Sequence, residues 1–251
     1  MKLPEDITFI KSPNYQEGRE GFKPIAICLH VAEGTKQGVI DWFTSKNTPI
    51  NERVSAHFLV GKDGSITQFV SSSDTAWANG VRNNDTWGML KLPAYRFVNP
   101  NLITISIEHE GWNYQRATAA QLTSSLQLSA YLCNYWKITP KPLETIIGHF
   151  QIDGVNRKNC PGMMVNIVDY TKSLTELLKD TNKEVIIPTT EEWYEGFKVA
   201  DSITSGTNFN MGHAVAEVET TQNVTVQRQQ GEKGRYCYTI DDRTLWVEVK
   251  Q

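Results

Sequence analysis

Strand-like and helix-like segments alternate along the chain through about residue 180, and this order constrains the fold more than any other feature. Residues 25–31 form an apolar run typical of a buried strand, and residues 36–46 place Val39, Ile40 and Phe43 at helical spacing. Chains of this kind bury their apolar faces by packing helices on a sheet. The sequence therefore predicts an α/β fold with a mixed central β-sheet flanked by helices.

Two later segments have strand patterns. In VSAHFLVGKDGSITQFV, two apolar runs are separated by Lys62, Asp63 and Gly64, which predicts a hairpin with its turn at Asp63 and Gly64. Over residues 102–109 isoleucines alternate with polar residues. This alternation predicts a strand with one apolar and one polar face.

A long helix is predicted to follow the N-cap residue Thr118 and to end at Trp136. Its apolar stripe is expected to consist of Leu122, Leu126, Ala130 and Cys133. Residues 143–148 then predict a short strand, and residues 166–179 predict a closing amphipathic helix. The first domain is therefore expected to span residues 1–180.

The composition changes after Asp180. The polar, proline-bearing stretch TNKEVIIPTT predicts a linker over residues 181–192. Residues 193–251 contain short β-prone segments whose spacing suits a small all-β barrel. These segments are residues 214–218, 223–227, 236–240 and 245–249, with Asp241 and Asp242 as the turn before the last one.

Charge and cysteine usage exclude several classes of protein. The net charge of −3 provides no basic field, so we expect no nucleic-acid partner. The four cysteines are widely spaced, unlike a disulfide framework, and Cys28 and Cys133 are expected to be buried thiols of a chain made in a reducing compartment. The start MKLPEDITFIKSP lacks the apolar stretch of a signal peptide, and no apolar run is long enough to insert in a membrane.

Three residues form a possible metal site. His149 and Cys160 lie eleven residues apart in GHFQIDGVNRKNCPG, and His30 ends the apolar run of ICLHVAEG. Taken one at a time, a histidine or cysteine in such a segment is more often a packing residue. Together, with turn residues Asp153 and Gly154 between the last two, they fit a catalytic zinc, which takes three protein ligands and leaves a fourth position open. The pattern predicts a zinc hydrolase.

Five motifs in this order resemble the type 2 N-acetylmuramoyl-L-alanine amidase family, which shares its fold with peptidoglycan recognition proteins. They are ICLHVAEG, VSAHFLVGKDGSITQFV, DTAWANG, ISIEHEG and GHFQIDGVNRKNCPG, and they cover most of the first 180 residues. The resemblance implies that Zn²⁺ is held by His30, His149 and Cys160. It also implies that the substrate is the amide that joins N-acetylmuramic acid to L-alanine in bacterial peptidoglycan.

The resemblance also implies roles for charged residues. Glu108 matches the family glutamate that acts as general base, and Glu110 is the alternative, because two residues spaced by two on a strand point to the same face. Lys158 matches a lysine that stabilises the oxyanion. The neighbouring Arg157 is expected to be a solvated loop charge or, alternatively, a binding residue.

The remaining candidates are aromatic, amide and imidazole side chains. Trp77 and Asn79 in DTAWANG are expected to contact substrate, with packing in the cleft wall as the alternative for Trp77. A fourth protein ligand would close the site, so we interpret His57 as a strand residue near the cleft and His109 as packing. His213 is expected to be structural or on the surface.

The C-terminal module resembles an SH3-like cell-wall-binding domain. With it, the amidase is expected to be a monomeric phage endolysin that is made in the host cytoplasm without a signal peptide and released through a holin pore. The enzymatic alternatives are a bacterial autolysin and a muropeptide-recycling amidase. The alternative without catalysis is a peptidoglycan-binding recognition protein of the same fold.

Overall fold

The structure of the protein is a computed structural model that describes residues 7–179 and four strands between residues 208 and 248. The chain divides into two compact units, Met1–Val185 and Ile186–Gln251. The predicted linker over 181–192, the predicted strand over 214–218 and the Asp241–Asp242 turn lie outside the described residues. Among the described residues, no helix has the length and apolarity needed to cross a membrane.

The first unit contains strands, α-helices and short 3-10 turns in alternation. In chain order the strands and helices are β1 (Ile7–Phe9), β2 (Tyr15–Gln16), β3 (Ala26–Val31), α1 (Lys36–Thr44), β4 (Phe58–Val60), β5 (Ile66–Gln68), β6 (Thr75–Ala76), β7 (Thr104–His109), α2 (Ala119–Trp136), β8 (Ile146–Gly148) and α3 (Ile167–Lys179). The 3-10 turns are Ile50–Glu52, Gly88–Lys91, Pro100–Leu102 and His149–Gln151.

Six strands form the central sheet in the order β1-β5-β4-β7-β3-β8. Strands β4, β7, β3 and β8 run parallel to one another, and β5 is antiparallel to β4, which confirms the predicted hairpin. A separate two-stranded sheet pairs β2 with β6. The mixed central sheet is therefore confirmed, and its four parallel strands present their carboxyl ends at one edge.

Three apolar clusters stabilise the sheet. One face packs on α2 and α3 through Leu29, Ile107, Leu128 and other buried residues. The opposite face carries a cluster that includes Trp87, and a third cluster lies under α1 around Phe43. Burying an aliphatic or aromatic side chain of this size contributes about 1.5–3 kcal/mol. The central sheet is thus covered by apolar packing on both faces.

Strand β7 has the predicted apolar and polar faces, and both faces are largely buried. Thr104 and Ser106 are buried as completely as the neighbouring isoleucines of the strand. Their hydroxyls are satisfied internally, since Thr104 donates to the Pro100 carbonyl (2.7 Å) and Ser106 accepts from the His57 amide (3.2 Å). Because β7 is a central strand with neighbours on both edges, its polar face forms an internal polar layer that ends at Glu108.

Helix α2 begins after the predicted N-cap, because the Thr118 hydroxyl accepts from the amide of residue 121 (3.0 Å). Of its predicted apolar stripe, Ala130 and Cys133 are buried, whereas Leu122 and Leu126 are half-buried and pack against the same core. Gln121 and Ser125 also face the interior. The Gln121 side-chain amide donates to the carbonyls of Val60 in β4 and Glu110 just after β7, and Ser125 hydrogen-bonds a tyrosine of α3, so these buried donors are paired.

The second unit contains four described strands. They are β9 (Asn208–Asn210), β10 (Asn223–Gly231), β11 (Arg235–Ile240) and β12 (Arg243–Glu248), in an antiparallel sheet of order β12-β11-β10-β9. Three of them coincide with the strands predicted near 223–227, 236–240 and 245–249. The SH3-like topology stays a prediction.

Candidate active site

Three neighbouring parallel strands bring the candidate residues to one sheet edge. His30 lies near the end of β3, Glu108 lies opposite it in the register of β7, and His149 directly follows β8. Because parallel strands end on the same side, these side chains meet there. Cys160 joins them from the following loop, where its Sγ accepts from the Val31 amide (3.4 Å).

The structure brings His30, His149 and Cys160 together as a buried group. One donor atom from each lies within 4.8 Å of the others. The two imidazole rings meet edge to face with centroids 4.5 Å apart. This spacing allows the three side chains to bind one metal ion.

The donor chemistry fits zinc. The Nε2 atom of His30 and the Oε2 atom of the adjacent Glu108 are buried, and neither has a hydrogen-bond partner among the described residues. Burial lowers the pKa of His149 to about 4 and that of His30 well below its usual range, so both imidazoles are neutral and can donate lone pairs. Burial raises the pKa of the Cys160 thiol, so a thiolate at this position requires a compensating cation. Two imidazoles and a thiolate are ligands that zinc prefers.

The loop between His149 and Cys160 is held by hydrogen bonds to Asp153. Its carboxylate accepts from the amides of Val155 (3.2 Å) and Asn156 (2.9 Å), and its carbonyl accepts from the Arg157 amide (3.1 Å). Beyond the cysteine, Gly162 has a φ of +64°, and a Cβ there would lie 2.5 Å from a backbone oxygen. The turn residues predicted from the sequence therefore fold this segment back to the sheet edge.

Glu108 and Glu110 lie in different environments. Glu108 lines the cleft, and its Oε1 lies 3.7 Å from His30 Nδ1. Burial raises the pKa of its carboxyl group to about 8, and the positive charge of Arg157 partly offsets this rise. Glu110 follows the end of β7, and its oxygens accept from the amides of Lys36 (3.0 Å) and Lys62 (2.9 Å). Glu110 therefore connects the start of α1 to the hairpin turn, and Glu108 is the carboxylate that faces the site.

The site opens into a cleft of about 380 Å³. Trp77 and Lys158, two of the predicted site residues, line this cleft. Arg157 lines it as well. Trp42, which the sequence patterns did not indicate as a site residue, also lines the cleft, with 46% of its surface exposed. The sequence feature that could have indicated Trp42 is its place directly beside Phe43, because neighbouring residues of a helix point in different directions and a large aromatic residue there does not join the buried stripe.

Asn79 does not line the cleft. Its side chain is 1% exposed and its Nδ2 donates to the hydroxyl of Thr104 (2.9 Å). The segment after β6 runs so that Trp77 faces the cleft and Asn79 covers the polar layer behind β7. We therefore assign no substrate contact to Asn79.

His57 and His109 lie outside the three-residue group. The His109 Nδ1–H donates to the His30 carbonyl (2.8 Å) and its Nε2 accepts from the Ser125 hydroxyl (2.8 Å), so this buried ring supports the strand that carries His30. His57 is buried in the polar layer, where its Nδ1 accepts from the Ser106 amide (3.0 Å). His213 lies outside the described residues.

The buried His57 predicts a pH dependence of stability. Burial, and then the Arg19 guanidinium 2.8 Å from Nε2, lower the pKa of His57 well below its usual value. As the pH falls, His57 therefore takes up a proton in the unfolded chain before it does so in the folded protein. The stabilisation from the neutral ring is complete above about pH 6.5, and below that pH the free energy of unfolding falls by about 1.4 kcal/mol per pH unit. We expect His57→Gln to be less stable at pH 7.5 and to show a shallower loss of unfolding free energy between pH 7.5 and 5.5, measured by urea titration. Equal slopes would contradict the assignment.

Comparison with known proteins identifies the family. A family model described as N-acetylmuramoyl-L-alanine amidase matches residues 20–163. The 1,6-anhydro-N-acetylmuramyl-L-alanine amidase AmpD of Haemophilus influenzae is 37% identical over 123 residues, which are 49% of this chain and 59% of that protein. The chain thus spans less than two thirds of the length of this relative.

A solved structure supports the fold. The crystal structure of a selenomethionine derivative of AmpD matches with a TM-score of 0.54 and 22% identity, over 69% of this chain and 99% of that one. This likeness confirms the mixed sheet flanked by helices. Because the family model covers more than half of the sequence, the chain belongs to the N-acetylmuramoyl-L-alanine amidase family.

Proposed function

We propose that the protein hydrolyses the amide between N-acetylmuramic acid and L-alanine in peptidoglycan, with zinc held by His30, His149 and Cys160. The observation that carries the proposal is the buried group of three metal donors beside a buried carboxylate in an open cleft. When bound, zinc supplies Lewis-acid chemistry for the amide carbonyl and for water.

Glu108 acts as the proton carrier of the reaction. Its Oε2 has no hydrogen-bond partner within residues 7–179. A cation held by the three donors would favour the ionised carboxylate, which is then available to take a proton from the attacking water. As the carbon–nitrogen bond breaks and the carbon–oxygen bond forms, the same oxygen returns that proton to the leaving amine of L-alanine. The products are a lactyl carboxylate on the sugar and a free peptide amino terminus.

Lys158 stabilises the negative charge that develops on the amide oxygen. It lies on the cleft wall two residues before Cys160. Replacing it with methionine keeps an unbranched side chain of nearly the same length and removes the charge, so we expect kcat to fall about a hundredfold. Arg116→Met, which changes an exposed cation outside the cleft, is the matched control in steady-state kinetics. A kcat within twofold of wild type for Lys158→Met would rule this role out.

The reaction is tested on purified cell walls. We expect the zinc-loaded protein to release peptide amino termini without releasing reducing sugars, and a chelator to stop the release. Amino termini released together with reducing ends would indicate a different bond. Binding to intact walls without cleavage in the presence of zinc would favour the recognition-protein alternative.

For the biological role we propose a wall-degrading endolysin. Its support is the separate unit of antiparallel strands, β9 to β12, since small β modules can anchor an enzyme and raise its local concentration at the wall. A second candidate is recycling of soluble muropeptides, which the relative active on 1,6-anhydro-N-acetylmuramyl-L-alanine favours. Comparing kcat/KM on insoluble walls with that on a soluble 1,6-anhydro muropeptide separates the two roles.

A further inference from the structure

Strand β8, which precedes the metal donors His149 and Cys160, lies at one edge of the central sheet. It has three residues and pairs with β3 on its inner side. The outer side of an edge strand has no strand ladder, so other contacts must fix the path of the chain that leaves it. Residues 83–87, which we call the brace, supply these contacts from the segment between β6 and β7.

The brace runs beside the chain that follows His149, and four backbone hydrogen bonds join it to residues 151–154. These bonds run from the amides of Thr86 and Trp87 to the Gln151 carbonyl (2.8 and 3.0 Å), from the Asn83 amide to the Ile152 carbonyl (3.2 Å) and from the Gly154 amide to the Asn83 carbonyl (2.8 Å). Because the bonds involve backbone atoms of both segments, a displacement of the brace displaces the start of the ligand loop as well.

Trp87 anchors the brace to the sheet. Its side chain is fully buried in an apolar cluster that includes Ile147 of β8 and Ile152 after it. The indole Nε1–H donates to the carbonyl of Glu144, two residues before β8 (2.8 Å). The backbone amide of Trp87 donates to the Gln151 carbonyl after the strand. One residue therefore holds the chain on both sides of β8.

Backbone hydrogen bonds connect the braced segment to both metal donors. The His149 carbonyl accepts from the amides of Ile152 (2.9 Å) and Asp153 (3.0 Å). Further along the loop, the Asp153 carbonyl accepts from the Arg157 amide (3.1 Å), and the Arg157 carbonyl accepts from the Cys160 amide (2.9 Å). The brace thus reaches His149 directly and Cys160 through one turn of the loop.

We infer that Trp87 is a positioning residue for the metal centre, which keeps His149 and Cys160 oriented toward the point where they meet His30. The inference rests on the proposed function, because it concerns the zinc that these three donors would hold. Two donors lie at strand ends and the third lies in the loop, so a preformed site requires the loop to keep one position before the ion arrives. Removing a partner that orients a metal ligand typically weakens metal binding by about 10–100-fold.

Trp87→Phe tests the indole hydrogen bond while it keeps an aromatic ring in the cluster. We expect zinc to bind about tenfold more weakly to the full chain, measured by competition with a chelator of known affinity. Co²⁺ accepts the same imidazole and thiolate donors. At a Co²⁺ concentration that saturates the parent protein, we expect a weaker charge-transfer absorption from the Cys160 thiolate, because the loop holds the thiolate at the ion less firmly.

Trp136→Phe is the matched control for Trp87→Phe. It also removes an indole Nε1–H, which donates to the Ser72 hydroxyl (3.1 Å) at the last residue of α2. A general loss of stability would affect both variants. The zinc affinity and the cobalt spectrum of Trp136→Phe should nevertheless equal those of the parent protein.

A second pair of variants leaves the apolar core unchanged. Gly154→Ala places a Cβ 3.0 Å from the carbonyl oxygen of Asn84, which is closer than an ordinary contact, so it pushes the loop and the brace apart. Gly88→Ala adds the same methyl group beside the brace, where no atom of the described residues lies within 4 Å. We expect Gly154→Ala to weaken zinc binding several-fold and Gly88→Ala to leave it unchanged.

The two pairs of variants decide the inference. It is overturned if Trp87→Phe binds zinc as tightly as the parent protein does, or if Trp136→Phe loses as much affinity as Trp87→Phe. If Trp87→Phe does not fold, the glycine pair decides. Unchanged zinc affinity in Gly154→Ala then overturns the inference, and a loss that Gly88→Ala does not share supports it.

The parent protein separates this inference from the proposed function. If it binds zinc and releases amino termini from walls while the Trp87 and Gly154 variants bind zinc equally well, only the role of Trp87 is wrong. If these variants bind zinc more weakly and the parent protein releases no amino termini, the amidase assignment fails and the role of Trp87 stands. If the parent protein binds no zinc, both are overturned.

Discussion

Replacing Cys160 with alanine is expected to abolish zinc binding and to reduce amide hydrolysis to background. The Cys160 thiol is buried against His30 and His149, and without it only two neutral imidazoles remain as donors in the group. A catalytic zinc takes three protein ligands, and a site with two holds the ion poorly. Metal content by mass spectrometry and release of amino termini from walls measure the two effects.

Two further cysteine variants serve as controls. Cys133→Ala removes another buried thiol, on α2 and away from the site, so zinc content and kcat should be unchanged while stability falls slightly. Cys160→Asp restores an anionic ligand of the kind that zinc accepts, so it should recover zinc and part of the activity. A Cys160→Ala protein that retains zinc would show that the three-residue group is not the metal site.

Glu108→Gln is expected to lower kcat by about 10²–10⁴-fold. Glutamine keeps the size of the side chain but can neither accept a proton from water nor return it to the leaving amine. The carboxylate is not one of the three donors in the group, so zinc content should stay at the level of the parent protein. Steady-state kinetics on a soluble muropeptide, with metal content measured on the same sample, checks both statements.

Glu110→Gln is the matched control, because it makes the same chemical change two residues away. Glu110 accepts from the backbone amides of Lys36 and Lys62, so its loss should lower the free energy of unfolding by about 1–3 kcal/mol and leave kcat within a few-fold. If Glu110→Gln instead stops turnover while Glu108→Gln does not, the assignment of the base is reversed.

Local patterns were sufficient for the elements of the fold. Apolar runs, the Asp63–Gly64 turn and the N-cap Thr118 predicted strands, hairpin and helix close to their observed bounds, because each depends on residues adjacent in the chain. The buried polar positions of α2 could not be predicted in this way. Gln121 and Ser125 are buried only because carbonyls and a tyrosine from distant segments pair with them.

The sequence by itself determined the mixed α/β sheet and proposed the three donors His30, His149 and Cys160, since spacing and turn residues encode them locally. Only the tertiary structure decided which polar residues face the cleft. Glu108 and Glu110 look equivalent along a strand, yet one is left free and the other is bound by two amides. Tertiary contacts likewise decide that Asn79 is buried and Trp42 is exposed. Whether a side chain is exposed in the cleft or buried depends on contacts made across the sheet. These contacts join segments that are far apart in the chain, so a local sequence pattern does not predict them.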